Sequence, residues 1–325
     1  MYLVAFSKDR GDVELAKNIM AYMRQNSMKF VTEPRDGIEA ALAIGDDRFV
    51  LETFRGIGAS QTPVLPIASS QGFFAQVNAL NAKRYLGLLK RGKYKIFKRS
   101  RLAARFDKTS SPIGLNDIGL FSSKSASLLR YSVYLNNELF RKDTGDGLII
   151  STPTGSTGYS LSAGGPIILE EPNVFALTPI SSLEKHSPVI INDATKIKIA
   201  DIEGTKPVLI VDGEIRLPVR TRDITIEKST YPANFVVFSE EHQLESRLKK
   251  RTIHVDISKL KDLPASSKLV YRILMHEGNM TQKEIVNTSA LPERTVRYAL
   301  SILVNKGIIT TQAHFGDARQ TVYGV

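Results

Sequence analysis

The sequence has no cysteine, no apolar run long enough to cross a membrane and, between Thr53 and Phe106, no acidic residue. Without cysteine, the chain has no disulfide framework, no cysteine-based metal site and no thiol catalysis. A membrane span needs roughly 18 consecutive apolar residues, and the first residues also lack the basic leader and cleavage site of a signal peptide. These absences favour a cytoplasmic protein without a membrane partner.

The composition indicates a folded protein with an anionic partner. A chain of 325 residues that is 42% hydrophobic and 24% charged builds two or three domains with real cores. Its net charge of +11 and pI near 9.6 favour nucleic acid or a phosphate-rich ligand. The acid-free run holds eleven Lys or Arg residues. We interpret it as the solvated face of a helix and a strand, with a phosphate-facing patch as the alternative.

Residues 1–100 predict an α/β domain, to which a helix over 240–250 returns. Leu15, Ile19 and Met23 recur at helical spacing, and a short apolar strand is bracketed by Pro63 and Pro66. The predicted elements are strands Tyr2–Phe6 and Pro63–Ile67 and helices Val13–Met23, Arg35–Ala43, Arg48–Arg55 and Ala82–Lys90.

Residues 101–239 change to short, β-branched segments separated by turns such as Asn136-Asn137 and Asp212-Gly213. This pattern predicts a mostly antiparallel β-domain. The predicted strands are Leu128–Leu135, Glu138–Arg141, Gly147–Ser151, Val174–Ala176, Lys196–Ala200, Val208–Val211 and Asp223–Glu227.

Residues 256–325 predict an α+β winged helix-turn-helix domain. Thr281 and Glu284 have the spacing of a capping box, Gly307 is a natural helix stop, and three helices precede a predicted hairpin. The N-terminal half of the third helix is the part that enters the major groove in such domains. We therefore predict contacts with double-stranded DNA from Arg294, Thr295, Arg297, Tyr298 and, near the wing tip, Arg319. The alternative is a winged helix used for dimerisation or protein contact.

Residues 145–166, GDGLIISTPTGSTGYSLSAGGP, lead a strand into a loop of small hydroxyl residues and glycines. Such a loop lets backbone N–H groups and hydroxyls approach a polar ligand closely, and Tyr159 offers a ring for stacking. From the residues alone, an ordinary surface loop remains the commoner interpretation. Ser156 and Ser162 fit hydrogen-bond donors better than nucleophiles.

This segment closely resembles the signature of the NAD kinase family, and three other segments agree in order and spacing. They are Leu115-Asn116-Asp117, Val211-Asp212-Gly213 and Ile44-Gly45-Asp46-Asp47-Arg48-Phe49. The resemblance covers about residues 1–250 and implies an α/β domain beside a β-domain, assembled as a homodimer or homotetramer. The NAD(H)- or NADP(H)-contacting roles that it implies fall on Asp46, Asn116, Asp117, Asp146, Thr157, Tyr159 and Ser162. Arg48 either meets a dinucleotide phosphate or is a surface charge.

The phosphate loop departs from the family's Gly-Gly-Asp-Gly-Thr pattern. Ile44 and Asp47 replace glycines and Arg48 replaces the threonine. The resemblance implies bare amides against ATP phosphates and an aspartate, Asp46, that takes a proton from the 2′-hydroxyl of NAD. A branched side chain and a negative charge there predict a spoiled phosphate side beside an intact NAD side.

Two functions follow from these features. The favoured prediction is a dinucleotide-sensing, DNA-binding transcription regulator on an inactive or weakly active kinase-like body. The alternative is an active NAD kinase, with Asp46 catalytic, ATP and Mg²⁺ as cofactors and an accessory winged helix. The five histidines show no metal-ligand spacing, so no metal site is predicted.

Overall fold

The computed structural model describes residues 1–69, 72–106, 109–124, 127–169, 172–238, 263–277, 280–289, 291–313 and 321–324. The chain divides into two compact units. The first comprises Met1–Val50, Val64–Ile96 and Val236–Val325, and the second comprises Leu51–Pro63 and Phe97–Phe235. The predicted helix over 240–250 lies outside the described residues. No described helix is both long and apolar enough to span a bilayer.

The helices and strands have the following bounds. The helices are α1 Arg10–Gln25, α2 Asp47–Ile57, α3 Ala82–Lys90, α4 Tyr159–Ser162, α5 Ala265–Glu277, α6 Gln282–Ser289 and α7 Glu293–Asn305. The first strands are β1 Tyr2–Phe6, β2 Phe30–Val31, β3 Ala40–Ile44, β4 Val64–Ala68, β5 Val77–Asn78, β6 Lys95–Arg99, β7 Leu102–Phe106, β8 Thr109–Ser110, β9 Asp117–Ser122, β10 Leu129–Leu135 and β11 Glu138–Gly145. The later strands are β12 Gly147–Ser151, β13 Val174–Ile180, β14 Val189–Asn192, β15 Ile197–Gly204, β16 Pro207–Val211, β17 Ile215–Pro218, β18 Ile224–Lys228, β19 Ala233–Val237, β20 Met280–Thr281, β21 Thr310–Ala313 and β22 Thr321–Gly324.

The first unit is built on a sheet of order β2-β1-β3-β4-β19-β6, in which β1, β2, β3 and β4 pair in parallel and β5 adds to β4. Helix α1 buries Leu15, Ile19 and Met23 against this sheet, as their spacing predicts. Parallel strands covered by helices read as continuous apolar runs, and β3 is buried throughout. That run explains why the predicted helix Arg35–Ala43 is wrong: its apolar end, Ala40–Ala43, is strand.

The second unit contains two six-stranded antiparallel sheets, β11-β10-β15-β18-β7-β8 and β14-β13-β12-β9-β16-β17. Both sheets contribute to one core, with Tyr131 and Ile199 from the first sheet and Ile118 and Phe175 from the second. The predicted antiparallel β-domain is confirmed, and each of its seven predicted strands is present. The sequence missed β8, β9, β14 and β17 of these sheets.

The described residues between 263 and 324 form three helices and an antiparallel sheet of order β20-β22-β21 around their own apolar cluster. The capping box is confirmed, because the N–H of Glu284 donates to the hydroxyl of Thr281 and the N–H of Thr281 donates to the Glu284 carboxylate. The predicted hairpin turn over 314–317 lies outside the described residues. The three-domain division at 1–100, 101–239 and 256–325 stays a prediction.

Candidate functional site

Residues 115–117, which we call the strap, lead into β9 and are fixed by the carboxylate of Asp212. Its Oδ1 accepts hydrogen bonds from the backbone N–H groups of Leu115 at 2.9 Å, Asn116 at 2.7 Å and Asp117 at 3.4 Å. The N–H of Asp212 donates in turn to the carbonyl of Asp117 at 2.9 Å. One carboxylate from a distant turn therefore sets the backbone of all three strap residues.

Asp212 reaches the strap from the tight turn between β16 and β17. Its φ is 50° and that of Gly213 is 69°, so both residues lie in the left-handed region, which Gly and Asp adopt more readily than most residues. The predicted Asp212-Gly213 turn is thus confirmed, and its conformation aims the Asp212 side chain inward, where it is 0% exposed.

Arg55 of α2 neutralises this turn. Its Nη1 donates to Oδ2 of Asp212 at 3.1 Å and its Nη2 donates to Glu214. Burial raises the pKa of Asp212, while the Asn116 N–H and the Arg55 charge oppose that rise. Because a buried carboxylate is costly without a partner, the ion pair with Arg55 favours the ionised form of Asp212.

Arg101 is a second buried cation behind the strap, only 1% exposed. Its guanidinium donates to the backbone carbonyls of Phe54 at 3.0 Å, Gly58 at 2.9 Å and Ile113 at 2.8 Å. Burial lowers the pKa of Arg101 to about 10, and the charge of Asp212 opposes that shift. Arg101 thereby ties the C-terminal turn of α2 to the segment that precedes the strap.

The strap side chains combine a carboxyl that titrates near neutrality with an unsatisfied amide. Burial, and then the charge of Asp212, raise the pKa of Asp117 to about 7. The Oδ1 atom of Asn116 is buried and has no hydrogen-bond partner within the described part of the chain. Buried polar atoms are normally paired, so the Asn116 amide is a group that a polar ligand would satisfy.

The loop that follows β12, residues 152–162, packs on the strap. The hydroxyl of Thr152 donates to the carbonyl of Leu115 at 2.7 Å, and its N–H donates to that of Asn116 at 2.9 Å. A Cβ at Gly155 would overlap the carbonyl oxygen of Asn116. Only glycine permits that approach. Gly155 is therefore required for the packing of the loop on the strap, in addition to the predicted role of the loop in ligand binding.

Several loop hydroxyls fix the loop, one by a bond within it and two by bonds to residues outside it. Ser156 donates to a carbonyl within the loop at 2.8 Å, and Ser160 shares a hydrogen bond with Thr178 at 2.9 Å. The hydroxyl of Thr154 accepts from Nη1 of the buried Arg99 at 3.0 Å. The expectation that Ser156 is a hydrogen-bond donor is therefore confirmed. These residues shape the site from behind.

Three predicted contact residues lie on the outer side of the same loop. Thr157 is half-buried, and Tyr159 and Ser162 are exposed. The Tyr159 ring stacks on Phe121, with centroids 5.7 Å apart and planes within 9°, yet 48% of Tyr159 remains exposed. Phe121 thus covers one face of the Tyr159 ring, and the rest of Tyr159 stays accessible to a planar ligand.

Within the second unit, Asp146 is a predicted contact that lies away from the strap. It precedes β12, whereas Thr152 follows β12, and β9 pairs antiparallel so that Ser151 faces Asp117. Six residues of extended chain separate the two positions by about 20 Å. Within a single chain Asp146 therefore belongs to the opposite end of the strand, and its role stays a prediction.

In the first unit, Asp46 stands between β3 and α2 as the helix N-cap. Its Oδ1 accepts from the N–H of Phe49 at 2.9 Å, and the residue remains exposed. A Cβ at Gly45 would lie 2.7 Å from Cβ of Phe49, so the glycine lets the chain turn sharply into the helix. Arg48 is exposed in the first turn of α2.

Two of the three departures in this loop, Ile44 and Asp47, have side chains that point elsewhere than the sequence predicted. Ile44 is the last residue of β3 and is 0% exposed in the core of the first unit. The carboxylate of Asp47 accepts hydrogen bonds from the N–H groups of Phe73 at 2.8 Å and Phe74 at 2.9 Å. The prediction that Ile44 obstructs the phosphate side is wrong, because its side chain belongs to the core.

Sequence reasoning missed the three arginines behind the strap and loop, namely Arg55, Arg99 and Arg101. The last two were interpreted as part of a solvated basic run, but both are buried. Their spacing of two residues on an extended segment puts them on one face, which is the only sequence signal available. Nothing in the sequence signals that Arg55 meets a turn far along the chain.

The predicted DNA-contacting residues lie on α7, with Arg319 outside the described residues. Arg294, Arg297 and Tyr298 are exposed and Thr295 is half-buried. The guanidinium of Arg297 donates to Glu293 of the same helix at 2.9 Å. Among the residues that the structure describes, no cluster of three or more His, Asp or Glu could hold a metal ion.

Comparison with known proteins identifies the relatives of this chain. Residues 115–238 match the ATP-NAD kinase C-terminal domain. The chain is 32% identical over 218 residues to an NAD kinase of Clostridium botulinum, covering 64% of this chain and 76% of that protein. It is 32% identical over 238 residues to an NAD kinase of Clostridium kluyveri, covering 71% and 83%.

Solved structures give the same fold. An NAD kinase from Archaeoglobus fulgidus in complex with ATP superposes with a TM-score of 0.65 at 22% identity, covering 78% of this chain and 100% of that one. Yeast NADH kinase complexed with NADH gives 0.69 at 19% identity, covering 78% and 88%. The expected NAD kinase-like fold is confirmed.

These relatives overturn the favoured functional prediction. The prediction of a DNA-binding transcription regulator built on a pseudokinase is wrong, because the two curated relatives described above are NAD kinases. Double-stranded DNA as the partner is wrong for the same reason. The comparisons give no evidence for a fused winged helix, so the assignment of α7 side chains to DNA contacts loses its basis. Helix order and exposed arginines were insufficient grounds for a DNA-binding function.

Proposed function

The chain belongs to the NAD kinase family, and we propose that it transfers the γ-phosphoryl group of ATP to the 2′-hydroxyl of NAD(H). The observation that carries this proposal is the strap. Its backbone is fixed by Asp212, its neighbour Thr152 ties it to the loop, and the buried Asn116 Oδ1 has no partner among the described residues. A site already shaped in this way needs little reorganisation when a ligand binds.

The strap and loop would hold the dinucleotide. Asn116 and Asp117 offer an amide and a carboxyl of the kind that bind ribose hydroxyls and base amines. Tyr159, supported by Phe121, offers a ring for stacking on a planar ring system. Thr157 and Ser162 add hydroxyls on the exposed side of the loop.

Asp46 is the proposed general base. Its carboxylate is exposed and oriented by one hydrogen bond from Phe49, which leaves the remaining lone pairs for a substrate hydroxyl. The 2′-oxygen forms a bond to the γ-phosphorus, the bond from that phosphorus to the β–γ bridging oxygen breaks, and ADP leaves with the electron pair. The hydroxyl proton passes to Asp46 and then to solvent.

ATP would enter as its Mg²⁺ complex. Magnesium in phosphoryl transfer is held largely by substrate phosphates and water, with one or two protein carboxylates. When bound, the metal would neutralise charge on the phosphates.

The test is formation of NADP⁺ from NAD, ATP and Mg²⁺ by the purified full chain. Asp46→Asn keeps the size of the side chain and removes the base, so we expect kcat to fall by about 10²–10⁴-fold. Asp9→Asn is the matched control, because Asp9 is also an exposed N-cap but makes no side-chain cap bond. Absence of NADP⁺ formation by the wild type would contradict the proposal, and equal losses in both variants would contradict the role of Asp46.

A further inference from the structure

Arg55 lies between two carboxylates of the turn at residues 212–214. Its side chain is 7% exposed and donates to Asp212 Oδ2 at 3.1 Å and to Glu214. The other oxygen of Asp212 carries the three strap N–H groups. Each oxygen of this carboxylate therefore has a separate task, one toward Arg55 and one toward the strap.

The three strap N–H groups and Arg55 all favour the ionised form of Asp212. A carboxylate oxygen accepts several N–H donors, whereas a protonated carboxyl gives up part of that capacity. Three charged or titratable groups interact with Asp212, namely the cations Arg55 and Arg101 and the acid Asp117, and a further acid, Glu214, shares Arg55 with it. Of the two cations, only Arg55 touches the carboxylate, because Arg101 is occupied by three backbone carbonyls.

We propose that Arg55 is a positioning residue for nucleotide recognition: it holds Asp212 in place and thereby sets the backbone from which Asn116 and Asp117 face the nucleotide. Arg55 touches none of the proposed nucleotide-contacting side chains and acts through Asp212. The recognition part of this inference rests on the proposed function, while the effect on the strap backbone does not.

The competing explanation is that Arg55 only stabilises the fold. The contacts of Arg101 make it possible to distinguish this explanation from a positioning role. Because Arg101 ties the end of α2 to residue Ile113, the helix keeps its attachment when Arg55 is replaced. Loss of Arg55 should then act on the strap amides more than on the unit as a whole. That difference can be measured without any ligand.

The first experiment is amide hydrogen exchange of the strap in the full chain without nucleotide, for wild type, Arg55→Met and Arg55→Lys. Removing one partner of a buried hydrogen-bonded group typically changes an equilibrium about tenfold or more. We expect the amides of Leu115 and Asn116 to exchange at least about tenfold faster in Arg55→Met, and less so in Arg55→Lys. Arg130→Met is the control, because Arg130 forms an exposed ion pair with Glu203 in the same unit. Unchanged strap exchange in both Arg55 variants overturns the proposal.

The second experiment measures NAD phosphorylation by the same variants between pH 6 and 8. We expect Arg55→Met to raise the KM for NAD about tenfold while kcat changes by less than about threefold, because binding and not chemistry is disturbed. The ratio of mutant to wild-type KM should grow as the pH falls, since Asp212 without Arg55 takes up a proton more readily. Arg55→Lys should restore part of the affinity.

The outcomes separate the two proposals. A KM ratio that does not vary with pH overturns the charge-based role of Arg55, even if the variant is less stable. If the wild type neither binds nor phosphorylates NAD, the proposed function fails, and the exchange result still decides whether Arg55 sets the strap. If Arg55→Met does not fold, Arg55→Lys tests the same role with a smaller expected change.

Discussion

The strap and the first turn of α2 both present an aspartate, but they are held by different means. The strap has three backbone N–H groups on one buried carboxylate, two arginines behind it and a glycine-permitted contact with the loop. Asp46 is exposed and its side chain has one capping bond to Phe49. The difference indicates that recognition depends on a pre-set backbone, whereas the proposed base keeps freedom to meet its substrate.

The largest expected effect tests how closely the strap is packed. Gly155→Ala forces a Cβ into the carbonyl oxygen of Asn116, where backbone on both sides must move. Overpacking typically costs about 1–3 kcal/mol, so we expect the dissociation constant for NAD, measured by calorimetry, to rise by up to about a hundredfold.

Gly56→Ala is the control for that change. A Cβ at Gly56 meets nothing within 4 Å, and the position is helical. Alanine should leave NAD affinity unchanged and stabilise α2 by up to about 1 kcal/mol. Wild-type NAD affinity in Gly155→Ala would show that the strap backbone is as adaptable as the first turn of α2. The proposed difference between the two regions would then be wrong.

The next prediction uses the charge of Asp117. Burial raises its pKa to about 7, against about 3.9 in an unfolded chain. Between those values the folded protein binds a proton that the unfolded chain has released. The free energy of unfolding should therefore fall by up to about 1.4 kcal/mol for each pH unit as the pH rises from about 5 to about 7.

Urea unfolding of wild type and Asp117→Asn at several pH values measures this contribution. The variant has no proton to lose, so its stability should change less steeply with pH than that of the wild type. Asp201→Asn, at an exposed position, should keep the wild-type slope. If the free energy of unfolding changed equally with pH in all three proteins, Asp117 would be as solvated as Asp46. The proposed difference between the strap and the first turn of α2 would then be contradicted.

The sequence predicted elements whose signals are local. The capping box at Thr281 and Glu284, the Asp212-Gly213 turn and the β-branched strands depend on neighbouring residues, and they are confirmed. The helix predicted over Arg35–Ala43 fails because pairing with β1 and β4 makes its apolar end a buried strand. The same strand pairing places the side chain of Ile44 in the core of the first unit.

The parts of the site that could not be predicted depend on distant partners. Arg101 is buried because carbonyls of α2 and of residue Ile113 surround it, and no periodicity encodes that meeting. The resemblance located the strap and the loop, but not Asp212 as the acceptor of three strap amides. The DNA-binding prediction failed because exposed arginines on a helix show charge and not a partner.

The smallest expected effect concerns Asp47, whose charge the sequence placed against ATP phosphates. In the structure, both carboxylate oxygens of Asp47 instead accept hydrogen bonds from the N–H groups of Phe73 and Phe74. Asp47 itself lies in the first turn of α2, where negative charge is favourable. Asp47→Asn keeps one acceptor and loses the charge, so we expect a loss of about 1 kcal/mol in stability by urea unfolding. The KM for ATP should change less than about threefold, because the carboxylate already has its partners. A KM for ATP that falls tenfold or more would mean that Asp47 repels phosphate. The first turn of α2 would then bind ATP poorly for the reason that the sequence predicted.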